Sequence, residues 1–144
     1  MAFSTQRHRG TEITENYYNN LSYKIIECCI EVHKELGPGL MESVYEVCVE
    51  KELLKAGINV KRQVVLPVIY KEEILNEDYV IDMLIDDLII IEFKSVETVL
   101  PVHEAQLVTY LKLSGKKLGL LINFNVAILK DGIRRRINGN LNSE

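Results

Sequence analysis

No stretch of this chain approaches the roughly 20 consecutive apolar residues that a membrane-spanning helix requires. Its opening, MAFSTQRHRGTEITENYYNN, lacks the apolar centre of a secretory signal. Both absences argue against a membrane partner and make a cytoplasmic location the expectation. Cysteine is scarce: Cys28, Cys29 and Cys48 are odd in number and have no C-x-x-C spacing. Neither a disulfide framework nor a zinc site is implied, and the three read as reduced packing residues. Internal repeats and low-complexity linkers are also missing. What remains is 144 residues, 47% hydrophobic and 26% charged, the balance of one folded domain with a real core. The polar start suggests a loose tail over 1–16 and a single domain over 17–144.

The net charge of -4 is unevenly spread. Residues 1–110 hold ten Lys/Arg against nineteen Asp/Glu, whereas residues 111–144 hold seven Lys/Arg against two acidic residues. An acidic metal pocket beside a basic strip that binds a phosphate backbone is compatible with that asymmetry, and so is a merely solvated basic edge.

Apolar residues Ile25, Ile26, Cys29, Val32 and Leu36 recur at helical steps, predicting a helix from Ser22 to Leu36 that Gly37 and Pro38 terminate. A second helix is expected from about Met41 to Ala56. The period then changes. Val60–Tyr70 reads as a strand that Pro67 confines to an edge. Tyr79–Ile85 and Leu88–Phe93 read as a hairpin around Asp86-Asp87. Helical spacing returns over Val102–Leu113, followed by the apolar run Leu118–Phe124 and a short strand near Ile128 or Ile133. The order α-α-β-β-β-α-β-β describes an α/β fold with a central mixed sheet flanked by helices.

Chemistry is expected where charge interrupts an apolar strand, since an unpaired buried charge is costly. Glu92 and Lys94 share one face of Ile89–Lys94, and Asp82 stands alone among apolar neighbours. Opposed residues of a hairpin share a face, and 82 and 92 differ by an even number. Pairing them therefore requires an odd loop such as Asp86, Asp87 and Leu88, or a bulge; a two-residue turn would separate them. The odd loop is the expectation. It unites two carboxylates and an amine, a set that suits Mg2+ or Mn2+ rather than zinc and that could activate water at phosphorus. The competing reading is a structural Lys94–Glu92 ion pair with Asp82 as a strand-end residue. Gln106 and Tyr110, four apart on one helix face, could hold the water and close the pocket, or be ordinary helix residues. Among Glu42, Glu46 and Glu50, Glu46 is the candidate third acid, and His33 reads as a packing residue.

Asp82, Glu92-Phe93-Lys94 and Gln106 together resemble the active-site pattern of the PD-(D/E)XK nuclease superfamily. Gln106-Leu107-Val108-Thr109-Tyr110 is similar to the Q-x-x-x-Y element of its RecB-like branch. Gly39-Leu40-Met41-Glu42-Ser43-Val44-Tyr45 resembles the signature of the GxxExxY family, as do the segments Val32–Gly39, Leu100–Gln106 and Leu120–Asn125. The resemblance spans about residues 20–139. It implies a restriction-endonuclease-like αβββαβ core, a cation held by Asp82 and Glu92 with help from Glu46 or Glu42, Lys94 beside the water and Gln106 in support. Ile81 stands where the superfamily's name has Pro, a position that supplies no ligand. The function so implied is metal-dependent phosphodiester hydrolysis, in DNA sooner than RNA. The alternatives are a silent nuclease-fold module that binds nucleic acid or a protein partner, and a structural homodimer.

Overall fold

The computed structural model describes residues 13–142. Helix α1 (Glu15–Leu36) begins where the Thr14 hydroxyl accepts a hydrogen bond from the Tyr17 amide. It starts a full two turns before Ser22: Tyr18 and Leu21 extend the buried stripe of Ile25, Cys29 and Val32. Glu15 and Asn16 are therefore helical rather than tail, Thr14 caps them, and residues 1–12 of the expected tail lie outside the described residues. Gly37, at φ +69°, ends α1 with its amide on the His33 carbonyl. Helix α2 (Glu42–Lys55) packs on α1 and buries Tyr45, Val49 and Leu53.

Five strands follow in sheet order β1-β2-β3-β4-β5. Strand β1 (Val60–Tyr70) is an edge strand, as Pro67 requires, and its register with β2 shifts just past that proline. Strand β2 (Glu73–Ile85) starts six residues before the apolar text suggested. It joins β1 through Lys71 and Glu72, both at positive φ, a two-residue turn with Tyr70 paired to Glu73. Strand β3 (Ile89–Lys94) runs antiparallel to β2 and parallel to β4 (Leu118–Asn123), and helix α3 (Pro101–Ser114) makes the crossover between them. A 3-10 turn over Leu129–Gly132 leads into β5 (Ile133–Ile137), antiparallel to β4. The segment from α2 to β4 has the expected αβββαβ order, with α1 and β5 added.

The sheet is covered on both faces. Met83, Ile85, Ile91, Phe93 and Ile122 pack with α1 and α2, whereas Leu84, Ile90 and Leu121 pack under Leu107, Tyr110 and Leu111 of α3. Strands buried on both sides read as continuous apolar runs, which is the text of β3 and β4. The hairpin β1–β2 breaks its alternation at one level. Ile81 faces α3 although Met83, two residues on, faces the other helices. The opposing strand switches face at Gln63, whose φ is +52°.

Candidate active site

The acidic pair is built by the β2–β3 turn. Ile85 pairs with Ile89, so the loop is the three residues Asp86, Asp87 and Leu88, and the two aspartates adopt left-handed conformations that short polar side chains tolerate. The ladder ends at Met83↔Ile91, and one step further the same register brings Asp82 opposite Glu92. There the side chains take over from the backbone. The Asp82 amide donates to Glu92 Oε2 at 2.8 Å, and the Phe93 amide donates to Asp82 Oδ2 at 2.9 Å. The odd-loop expectation holds.

Each carboxylate is thus fixed by one oxygen, and its second oxygen has no donor among the described residues. Both groups are hard to ionise. Burial is the largest cause for Glu92, followed by the charge of Asp82, and its pKa is pushed up to about 8 from 4.5. Asp82 also lies above its usual value, again chiefly through burial, although the Phe93 amide and Lys94 work against the shift. Lys94, at the last position of β3, makes no ion pair among the described residues but lowers both carboxyl pKa values by its charge. The structural ion pair that competed with this reading is therefore not formed.

Tyr110 of α3 also reaches this pair: burial first, then Glu92 and Asp82, push its hydroxyl up to about 12. Its ring lies 5.4 Å from that of Tyr79 on β2. Gln106, one turn earlier on α3, is half-buried, and its side chain makes no hydrogen bond among the described residues. Glu46 is buried and raises the pKa of both acids, but it is already engaged. Arg62 Nε lies 2.8 Å from its Oε2, and Gln63 Nε2 donates to both its oxygens at 3.0 and 3.1 Å. Holding a cation would require Glu46 to give up Arg62. Glu42 instead accepts from the Ser95 amide at 3.2 Å. His33 is a packing residue as expected, its Nε2 2.9 Å from the Val126 carbonyl.

Three neighbours escaped sequence reasoning. Gln63 and Arg62 lie in strand text with no functional spacing, and only the kink at Gln63 turns them toward α2. Asn123 is buried at the end of β4 and grips Val96 twice, through amide N to Oδ1 at 3.0 Å and Nδ2 to carbonyl at 2.9 Å. A polar residue closing an apolar strand was its one available signal. The basic stretch is divided between two faces of the sheet edge. Arg134 and Arg136 both reach Glu104 of α3, whereas Arg135 donates to the Asn19 side chain of α1 at 2.7 Å.

Among the described residues no three His, Cys, Asp or Glu side chains gather as a metal-binding group. Two carboxylates are nevertheless a sufficient protein share for Mg2+ or Mn2+, which keep water and substrate phosphate as their remaining ligands. Oxygens without donors fit such an ion, because its positive charge would favour the ionised forms that burial first, and then neighbouring acidic groups, disfavour. A family model described as the PD-(D/E)XK nuclease superfamily matches residues 19–136. No curated protein and no solved structure matches the chain.

Proposed function

Since the chain belongs to the PD-(D/E)XK nuclease superfamily, we propose that it is a metal-dependent nuclease that hydrolyses phosphodiester bonds in DNA. We assign it further to the GxxExxY family and its Q-x-x-x-Y element to the RecB-like pattern, on the ordered agreement of several segments. The observation that carries the functional reading is the crosswise amide–carboxylate pair of Asp82 and Glu92 at the end of the β2–β3 ladder.

In this reading Asp82 and Glu92 hold Mg2+ or Mn2+. The ion, when bound, polarises a phosphoryl oxygen and makes a water more acidic. Lys94 orients the attacking water and opposes the charge that develops on phosphorus. Gln106 holds that water or a phosphate oxygen by its amide. Tyr110, whose hydroxyl burial moves still further above the neutral range, stays protonated and closes the pocket as a donor or stacking surface rather than as a base. Glu46 sets the field around the pair and keeps its charge on Arg62.

Labelled single- and double-stranded DNA, with RNA alongside, should be cut with magnesium or manganese and left intact in EDTA, and Lys94→Ala should abolish cutting. Cleavage that persists in EDTA, or in Lys94→Ala, would refute the assignment. A second reading, a nuclease-fold module that binds nucleic acid without cutting it, is favoured by the engagement of Glu46 with Arg62 and Gln63. It predicts saturable, salt-sensitive binding with no product under any ion.

A further inference from the structure

An amine that orients water must act from a fixed point, and a displacement of about 1 Å at such a group can cost about 100-fold in rate. Lys94 stands at a strand end, where pairing with β4 stops at Lys94↔Asn123, a place that ordinarily frays. Here it is enclosed by a circuit of contacts. The Lys94 carbonyl accepts from the Phe124 amide at 2.9 Å. The Phe124 ring stacks on Tyr45, with centroids 4.3 Å apart and planes at 14°. The Tyr45 hydroxyl accepts from the Leu40 amide at 3.0 Å and donates to the Gly37 carbonyl at 2.6 Å. The Leu40 carbonyl accepts from Ser95 Oγ at 2.6 Å, and the Ser95 amide donates to Glu42. Ser95 is bonded to Lys94, and the circuit closes.

Resting on the nuclease reading, we propose that the segment Gly39–Tyr45 is a latch in which Glu42 and Tyr45 are positioning residues that fix Lys94 through Ser95, and that Glu42 is not a cation ligand. The spacing explains itself in these terms. Gly39 has φ +96°, a conformation open to glycine, and folds the loop back so that Leu40 meets both Tyr45 and Ser95. Glu42, at the first position of α2, accepts an amide from outside the helix. Tyr45, one turn on, closes the loop from beneath. An open cleft of about 600 Å³ is lined by Gly39–Ser43, Ser95 and Asn125, so the latch itself faces open space next to Lys94 in the chain.

Tyr45→Phe keeps the stacking and deletes the hydroxyl; Ser95→Ala deletes the bond to Leu40. Each should lower kcat by about 10- to 100-fold, with KM and the calorimetric affinity for Mn2+ changed by less than about threefold. Glu42→Gln, whose amide oxygen can still accept from Ser95, should recover most of what Glu42→Ala loses, and Glu42→Ala should speed hydrogen exchange at the Ser95 amide. Loss of Mn2+ affinity by about tenfold in Glu42→Gln would make Glu42 a ligand and overturn the latch. Full kcat in Tyr45→Phe and Ser95→Ala would overturn it as well. If the wild type cuts nothing, the nuclease reading fails by itself, and exchange at Ser95 still decides: faster exchange in Glu42→Ala upholds the latch, unchanged exchange overturns it.

Discussion

Glu92 holds a proton in the folded chain at pH values where the unfolded chain has released it, because its pKa moves from 4.5 to about 8. Between those values the unfolded state binds fewer protons, so the native stability due to this group is full below pH 4.5 and is lost as pH rises through 8. In EDTA, the melting temperature of the wild type should therefore fall by several degrees relative to Glu92→Gln as pH rises from 5 to 8.5. Parallel curves would show that the carboxyl ionises freely. Manganese should reverse the loss at pH 8.5. At about 100 times its dissociation constant an ion adds about 2.7 kcal/mol, and Asp82→Asn should show no such rise. The acidic pair was legible because side chains alternate along strands and a difference of ten fixes the parity. The state of Glu46 was not legible. Helical spacing placed it on α2, but its partners Arg62 and Gln63 face it only because β1 changes face at Gln63, a left-handed residue that no glycine or asparagine announces.

Turns decide how much of each element can be read. The β2–β3 turn carries two aspartates, which tolerate positive φ, and the hairpin was evident. The β1–β2 turn uses Lys71 and Glu72 in the same conformations. Neither residue favours that region, so the first six residues of β2 passed for loop. Helix α1 was shortened for a similar reason: Asn-Tyr-Tyr-Asn-Asn is polar by composition, yet Tyr18 is buried and only Thr14 marks the true start. The exit of β4 rests on a closer tolerance. A Cβ on Gly132 would lie 2.1 Å from the Asn123 carbonyl oxygen, a backbone atom that cannot step aside. Gly132→Ala must push the 3-10 turn off β4 and strain Asn123, the residue that grips Val96 beyond Lys94. Denaturant unfolding should show a loss of about 1–3 kcal/mol, with kcat falling more than in a surface variant of equal stability. Wild-type stability would mean that the turn moves freely from the strand.

The whole molecule bears its charge unevenly across the sheet, and this fixes the side from which a polyanion can approach. At one edge, the β1–β2 hairpin runs past the end of β3 pairing and carries Glu72, Glu73, Glu77 and Asp78, which repel phosphate. At the other edge, Arg134 lies in one row with Leu121 and Glu92, two strand spacings or about 10 Å from Glu92 along the sheet. Leu121 between them is buried under α3, so a phosphate backbone would meet Arg134 along the open β5 edge, outside α3, rather than across that row. Arg134 and Arg136, however, are shared with Glu104 of α3, and half-exposed pairs of this kind contribute little to stability. Glu104 is thus a competitor for the phosphate that the two arginines would otherwise contact. Glu104→Gln should leave the fold intact, tighten DNA binding measured by anisotropy in EDTA, and steepen the dependence of log affinity on log salt by up to about 0.9 for each arginine released. Arg134→Ala with Arg136→Ala should flatten the same slope. If Glu104→Gln binds no better than wild type while the arginine pair still matters, the carboxylate holds the guanidinium groups in place for phosphate instead of competing with it. If neither variant changes the slope, the backbone does not run along β5, and the positive balance of residues 111–144 is a solvated edge.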